Sequence, residues 1–434
     1  MLIKNDIWKN TNFLHSICIA AGSLYCAGLT YGTPITQNVY TIFFILFLSV
    51  LFFLNIQKIN EVENKGSSFI FVQIILLNLS IAVTAQILNS PDSFFWVQDS
   101  FLTHLPESVK YTDSIKNNFQ AEPDLGLRQG RMTHALTGLS FVIFGVNTFA
   151  TIFVQLIFKL IVVSCIYFYC RILWGTRVAF VAIQLYGFCP TIFFYNLVLY
   201  KEGAVQALLA IILLSTLKIS LQKKYIFILP TVLALFLMSG ERTYITYLLL
   251  LMFPFLIYNL PFAKNIKNNL LFLTAAVILA IGGYWYNPKM FDILGAINEL
   301  TNFRKLYSSF SDVLNRYNYS IPYPLAFLKI VFSPYFSMNK FKIFSDFSDL
   351  LIWGSFINQI IIFSSILGFI HSVRVKILHL YLWIPFIAFL ICAAYVSPWS
   401  GRIRDSFYPL IACYAAFYLL NNKYFKKIFN ISDL

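Results

Sequence analysis

The chain has 434 residues, of which 59% are hydrophobic and only 12% are charged. A soluble domain carries about twice that share of charged residues. Apolar runs of about 20 residues also recur along the whole chain, separated by short polar segments. The composition therefore disfavours a single soluble domain and predicts an all-α, polytopic membrane helix bundle with about 12 transmembrane helices.

The formal net charge of +14 does not by itself indicate a nucleic-acid partner. Its Lys and Arg residues concentrate in short loops between apolar runs, which is the bias expected of cytoplasmic loops in a membrane protein. No basic recognition helix or RNA-binding signature is present, so the expected surroundings are membrane lipids and no nucleic acid is expected. The seven cysteines lie within or at the ends of apolar runs, which argues against both a disulfide framework and a thiolate zinc site.

The apolar runs and the basic loops together predict a topology. The N-terminal segment carries Lys4 and Lys9 and lacks a clear cleavage site, so it is predicted to stay cytoplasmic ahead of a retained helix. Every loop then assigned to the inside carries at least two Lys or Arg, and both termini are cytoplasmic. The predicted spans are 12–31, 39–56, 68–88, 148–170, 179–197, 203–217, 226–239, 244–260, 270–285, 350–370, 378–396 and 407–420.

Two long polar segments fall on the same, extracytoplasmic side of this topology. They are residues 89–131 and residues 287–349, and they belong to one integral membrane domain covering residues 1–434. The apolar run 132–145 is too short to cross the bilayer and is predicted to be a half-inserted or surface helix. If it crossed the membrane, the basic loops after it would lie outside, against the usual charge bias. The predicted location is the inner (plasma) membrane.

The same topology gathers chemistry-capable residues from distant segments at the outer face. The first loop contributes Asp99, His104 and Glu107. A carboxylate in this position would take a proton from an incoming hydroxyl group. Guanidinium and ammonium groups would neutralise the phosphate of a lipid. The cations available for that role are Arg131, Lys201, Arg242, Arg402 and Arg404.

Simpler interpretations of these charges stay open. Each cation can pair with its neighbour in the sequence, Lys201 with Glu202, Arg242 with Glu241, and Arg404 with Asp405. A divalent metal held by His104, His134, Asp99 and Glu107 is an alternative, but no ligand spacing such as HExxH supports it. No metal and no cofactor is therefore predicted.

One further charge lies inside a predicted span. Lys159 stands near the middle of the run 148–170, where a charged side chain is costly enough to indicate an inward-facing partner. Its position predicts that it lies on the wrong half of the membrane for the outer site.

Three short motifs resemble a known class of enzymes. Asp99-Ser-Phe-Leu-Thr-His-Leu-Pro106 resembles the Asp-x-x-x-Tyr-His-Leu-Pro stretch that opens the first outer loop of bacterial GT-C-type membrane glycosyltransferases. The segments 190–202 and 402–409 look like two further elements of that plan, a Pro-rich helix end with a charged pair and a basic turn before the last core helix. Thr103 stands where the class usually has Tyr, and Ser100 replaces a frequent second acid.

The resemblance implies a GT-C-like fold and an enzyme akin to the protein O-mannosyltransferase and aminoarabinose transferase families. Such an enzyme takes a hexosyl or pentosyl group from a polyprenyl-phosphate-linked donor and transfers it to a cell-envelope glycan or lipid. Asp99 matches the proposed general base, His104 and Glu107 would orient the acceptor, and the identity of any second catalytic acid stays open.

Two alternatives follow from the same layout. A Wzy-type oligosaccharide repeat-unit polymerase would use arginines of the second loop, Arg304 and Arg316. A lipid or polysaccharide transporter would need an internal repeat or paired broken helices, which the sequence does not show.

Overall fold

The structure is a computed structural model, and it describes residues 11–61, 67–88, 104–117, 130–242, 245–246, 249, 349–375, 406–429 and 431. Within these ranges the regular secondary structure is helical throughout, with two short 3₁₀ turns at Ile59–Glu61 and Tyr225–Phe227. The α-helices are α1 (Thr11–Tyr31), α2 (Pro34–Ile56), α3 (Ser68–Ile87), α4 (Leu105–Lys116), α5 (Arg131–Phe144), α6 (Thr148–Trp174), α7 (Thr176–Gly187), α8 (Pro190–Tyr195), α9 (Glu202–Gln222), α10 (Ile228–Glu241), α11 (Asp349–Val375), α12 (Tyr408–Asn421) and α13 (Lys423–Ile428).

Six helices in the described part of the chain are long and apolar enough to cross a membrane. A helix needs about 20 apolar residues for this, because it rises 1.5 Å per residue through a hydrocarbon layer of roughly 30 Å. The chain is therefore a multi-pass helical membrane protein, as predicted. The six segments are Asn12–Tyr31, Ile35–Ile56, Ser68–Ile87, Thr148–Trp174, Glu202–Gln222 and Gly354–Ser372.

Contacts at both ends of the helices fix their relative directions in the first half of the bundle. Helices α1 and α2 form an antiparallel pair, in which the Gln37 Nε2 donates to the Leu29 carbonyl at 2.9 Å. The end of α2 meets the beginning of α3, where Asn55 Nδ2 donates to Gln73 Oε1 at 2.7 Å, so α2 and α3 are also antiparallel.

Helices α3 and α7 run in the same direction. The Phe69 and Phe180 rings lie 5.7 Å apart near the beginnings of the two helices. Further along both helices, Gly187 packs against the Ile74 side chain. Because α7 follows α6 after the single residue Gly175, α6 runs in the opposite direction to α3 and α7.

The second half of the bundle follows the same alternation. Gln155, near the beginning of α6, bonds the backbone just before α9, and Lys218 near the end of α9 lies 5.8 Å from the Phe168 ring on α6. Helices α6 and α9 are therefore parallel. Trp174 at the end of α6 stacks on Phe417 near the end of α12, with ring centroids 4.7 Å apart. These directions agree with the alternation derived from the basic loops.

The predicted span 179–197 is not one continuous helix, which is a difference from the sequence prediction. Helix α7 ends at Gly187, and the short helix α8 begins at Pro190 after a break at Phe188 and Cys189. Proline has no backbone N–H and its ring clashes with the preceding turn, so it begins a new helix more readily than it continues one. The residues that follow α8, up to Tyr200, are buried without being helical.

Helices α4 and α5 pack against each other, and α5 also contacts α6 and α10. Helix α5 has 14 residues, which is too short to cross the bilayer, as predicted for the run 132–145. It packs closely on α4, where a Cβ at Gly138 would lie 2.7 Å from the Tyr111 Cβ. The Thr112 hydroxyl donates to the Gly138 carbonyl at 3.1 Å. Glycine at 138 therefore permits the close approach of the two helices.

Candidate active site

The beginning of α5 is bound to the end of α10 through one buried carboxylate. Glu241 Oε1 accepts the Met132 backbone N–H at 2.6 Å and the Thr133 N–H at 3.2 Å, and Oε2 accepts the Thr133 hydroxyl at 2.8 Å. The Gly130 N–H donates to the Gly240 carbonyl at 2.9 Å. The first N–H groups of a helix have no partner inside the helix, and a carboxylate there also complements the helix dipole. Glu241 therefore caps α5 from a helix about 100 residues away in sequence.

Burial and hydrogen bonding act on Glu241 in opposite directions. Burial raises the pKa of its carboxyl group above the ordinary value, because the charged form loses its hydration. The hydrogen bonds from Thr133 and Met132 lower that pKa, as does the positive charge of Lys201. Because the charge of Lys201 acts on Glu241, the segment before α9 lies close to the end of α10.

A second carboxylate, Glu202, forms a buried ion pair with Arg242. The Arg242 guanidinium donates to Glu202 Oε1, joining the beginning of α9 to the residue after α10. Glu202 is 0% exposed and Arg242 is 8% exposed. Charges withdrawn from water to this extent persist only when they are paired, so this ion pair fixes the antiparallel ends of α9 and α10 to each other.

Two histidines meet where α4 packs on α5. His104 Nδ1 lies 2.8 Å from His134 Nε2, and both side chains are buried. The Tyr200 ring stands edge-on to the His104 ring, with centroids 6.2 Å apart. A neutral imidazole has one donor and one acceptor nitrogen, so one ring of this pair donates to the other. The contact joins the first loop to α5 and to the segment before α9.

A carboxylate of the first loop, Glu107, lies three residues after His104. Glu107 is buried on α4 and pairs with the half-exposed Lys110, Oε1 to Nζ, at 3.2 Å. Burial raises the pKa of the Tyr111 hydroxyl, the positive charge of Arg131 lowers it, and the charges of Glu241 and Glu107 raise it. Charged residues of α4, α5 and α10 therefore all act on the Tyr111 hydroxyl group.

We use the name outer cluster, after the face on which the sequence predicts them, for His104, Glu107, Arg131, Lys201, Glu202, Glu241 and Arg242. The structure brings together five of the residues that the sequence assigns to the site, although they come from four separate segments. They share one end of the bundle, and they are His104, Glu107, Arg131, Lys201 and Arg242. Asp99, Arg402 and Arg404 lie outside the described residues.

The pairing within the outer cluster differs from the neighbour pairing considered from the sequence. Arg242 pairs with Glu202 on another helix and not with the adjacent Glu241. Glu241 instead caps α5 and lies within the electrostatic influence of Lys201. Adjacent residues at the end of a helix point in different directions, about 100° apart, so they reach different partners.

Sequence reasoning noted Glu241 and Glu202 only as companions of the cations and did not find their roles. The sequence did contain a signal for these roles. Each carboxylate lies at the end of an apolar helix, where an unpaired charge is costly. Among the described residues, no group of three or more His, Cys, Asp or Glu side chains is arranged to hold a metal ion. The predicted metal alternative included Asp99, which lies outside the described residues.

The fold and the outer cluster define a multi-pass helical membrane protein with a charged, partly buried site at one end of its bundle. Residues 129–285 match the family model described as dolichyl-phosphate-mannose-protein mannosyltransferase. The match begins beside α5 and extends beyond α10, so it includes Lys201, Glu202, Glu241 and Arg242. No curated protein and no solved structure matches the chain. The family match supports a membrane glycosyltransferase of the GT-C type, as the resemblance of the first loop predicts.

Proposed function

We propose that the chain transfers a sugar from a polyprenyl-phosphate-linked donor to a glycan or lipid of the cell envelope, at the extracytoplasmic face of the plasma membrane. The observation that carries this proposal is the outer cluster itself. Its residues belong to segments far apart in sequence, and the elements that build most of it lie within the matched range 129–285.

The proposed reaction needs a base and a group that receives the leaving phosphate. Asp99 would take the proton of the acceptor hydroxyl group while the oxygen of that hydroxyl group attacks the anomeric carbon of the donor sugar. The bond from that carbon to the phosphate oxygen breaks, and the polyprenyl phosphate leaves with the electron pair. The sugar is thereby transferred with inversion at the anomeric carbon. No nucleotide is consumed in this step.

The described cations differ in how far their side chains are exposed. Arg242 is already paired with Glu202, so its charge is largely balanced. Lys201 and Arg131 are half-buried and lie within the influence of Glu241 and Tyr111, respectively. In this proposal Lys201 and Arg131 contact the donor phosphate together with Arg402 and Arg404, and Arg242 completes the clamp. His104 and Glu107 orient the acceptor.

The test is transfer by the purified protein in proteoliposomes. Polyprenyl-phosphate hexoses and pentoses, labelled in the sugar, are supplied with a glycolipid extract as acceptor, and labelled product and released polyprenyl phosphate are measured. The proposal expects equal amounts of both from at least one donor and a loss of both in Arg402→Ala. Absence of transfer from every donor would contradict it.

The same assay separates the polymerase alternative. A glycosyltransferase of the proposed kind adds one sugar, whereas a polymerase produces a ladder of repeat units. A ladder that is lost in Arg304→Ala or Arg316→Ala, and kept in Asp99→Asn, would assign the protein to the Wzy-type polymerases.

A further inference from the structure

Lys159 is buried in the middle of α6 without an oxygen to bind. Its side chain is 0% exposed, and among the described residues Nζ has no hydrogen-bond acceptor. The Phe193 ring on α8 lies beside Nζ, with its centroid 4.3 Å away. A ring face attracts an ammonium group, but it does not replace the hydrogen bonds that the group makes in water.

The position of Lys159 connects it to the outer cluster through Gln155. Gln155 lies four residues earlier on α6 and therefore on the same face, about 6 Å nearer the outer end. Its Nε2 donates to the Tyr200 carbonyl at 2.8 Å, directly before Lys201 and Glu202. Lys159 thus stands one helical turn below the outer cluster.

The missing partner of Lys159 points to a ligand. Buried polar groups are normally paired, and a charged side chain within a membrane-spanning helix is costly without a partner. Among the described residues Lys159 Nζ has no hydrogen-bond partner. A bound group that offers an acceptor would supply one.

We propose that Lys159 anchors a buried anion subsite beneath the outer cluster, and that this subsite receives a phosphate oxygen of the polyprenyl-linked donor. The inference rests on the proposed function and names a contact for its donor. An anionic oxygen would give the ammonium the acceptor it lacks, at the shorter distance typical of charge-assisted hydrogen bonds. A lipid phosphate fits better than free phosphate, because Lys159 lies within an apolar helix and beside the Phe193 ring, surroundings that suit an isoprenoid chain.

The experiment measures binding of three probes to the purified protein in nanodiscs. They are polyprenyl phosphate, the uncharged polyprenol of the same length, and inorganic phosphate. Lys159→Met removes the charge and keeps the length of the side chain. Lys218→Met is the matched control, because Lys218 Nζ also lies over a phenylalanine ring, 4.2 Å from the Phe227 centroid, but near the opposite end of α9.

The expected result is a loss of affinity for polyprenyl phosphate of about 10- to 100-fold in Lys159→Met, the scale of one hydrogen bond to a charged group. Polyprenol binding should be unchanged, and Lys218→Met should bind all probes as the wild type does. The unliganded Lys159→Met protein should melt at the same or a higher temperature, because an unpaired buried amine is removed. A purely structural lysine would instead lower the melting temperature.

Other results overturn the inference in distinguishable ways. Equal binding of polyprenyl phosphate by wild type and Lys159→Met, with sugar transfer intact, would overturn the subsite and leave the proposed function standing. Binding of inorganic phosphate that depends on Lys159 would assign the subsite to free phosphate. A wild-type protein that binds polyprenyl phosphate no better than polyprenol would overturn both proposals.

Discussion

The Glu202–Arg242 ion pair allows a sharp test of the outer cluster. Arg242→Met would remove the ion-pair partner of the Glu202 carboxylate, which is 0% exposed. Breaking a buried pair in this way costs about 3–5 kcal/mol of stability, because the remaining charge stays desolvated. Glu202→Gln should cost less, because the amide oxygen can still accept a hydrogen bond from the guanidinium.

The double variant Glu202→Gln/Arg242→Met carries the decisive measurement. It removes both charges, so it should recover most of the stability that Arg242→Met loses. Stability is measured by denaturation in bicelles for the wild type, both single variants and the double variant. The control is Lys110→Met, whose ion pair with Glu107 is half-exposed on the lysine side and should be worth about 0–1 kcal/mol.

The double variant also separates structure from donor binding. If stability returns but use of the polyprenyl-phosphate donor stays low, Arg242 contacts the phosphate as well as Glu202. If both return, its role is structural. An Arg242→Met protein as stable as the wild type, or a double variant no more stable than Arg242→Met, would refute the buried ion pair.

Three further predictions concern the base, the helix cap and the topology. Asp99→Asn should lower the transfer rate about 10²–10⁴-fold, as expected for a lost general base, whereas Asp113→Asn, on the exposed side of α4, should stay near wild type in the same assay. Glu241→Ala should lower stability by about 1–3 kcal/mol in bicelle denaturation, because α5 loses its cap; an unchanged stability would speak against that role. Reporter fusions at Lys223 and Gly126 should report opposite sides of the membrane, and the same side at both would contradict the topology.

The sequence alone determined that the chain is a multi-pass membrane protein and which charged residues lie beside the ends of its apolar segments. Hydropathy and the placement of Lys and Arg are local properties, and they act at the membrane one segment at a time. For this reason the short apolar run at α5 and the convergence of Lys201 and Arg242 on one end of the bundle could be predicted without a structure.

Only the tertiary structure decided which charges pair. Arg242 binds Glu202 across 40 residues of sequence, and Glu241 binds Thr133 across 108. Such pairs depend on how the helices rotate and pack against each other, which no local pattern records. The position of Lys159 below the outer cluster follows from the same packing. Helix packing therefore sets the chemistry of the site that the sequence could only outline.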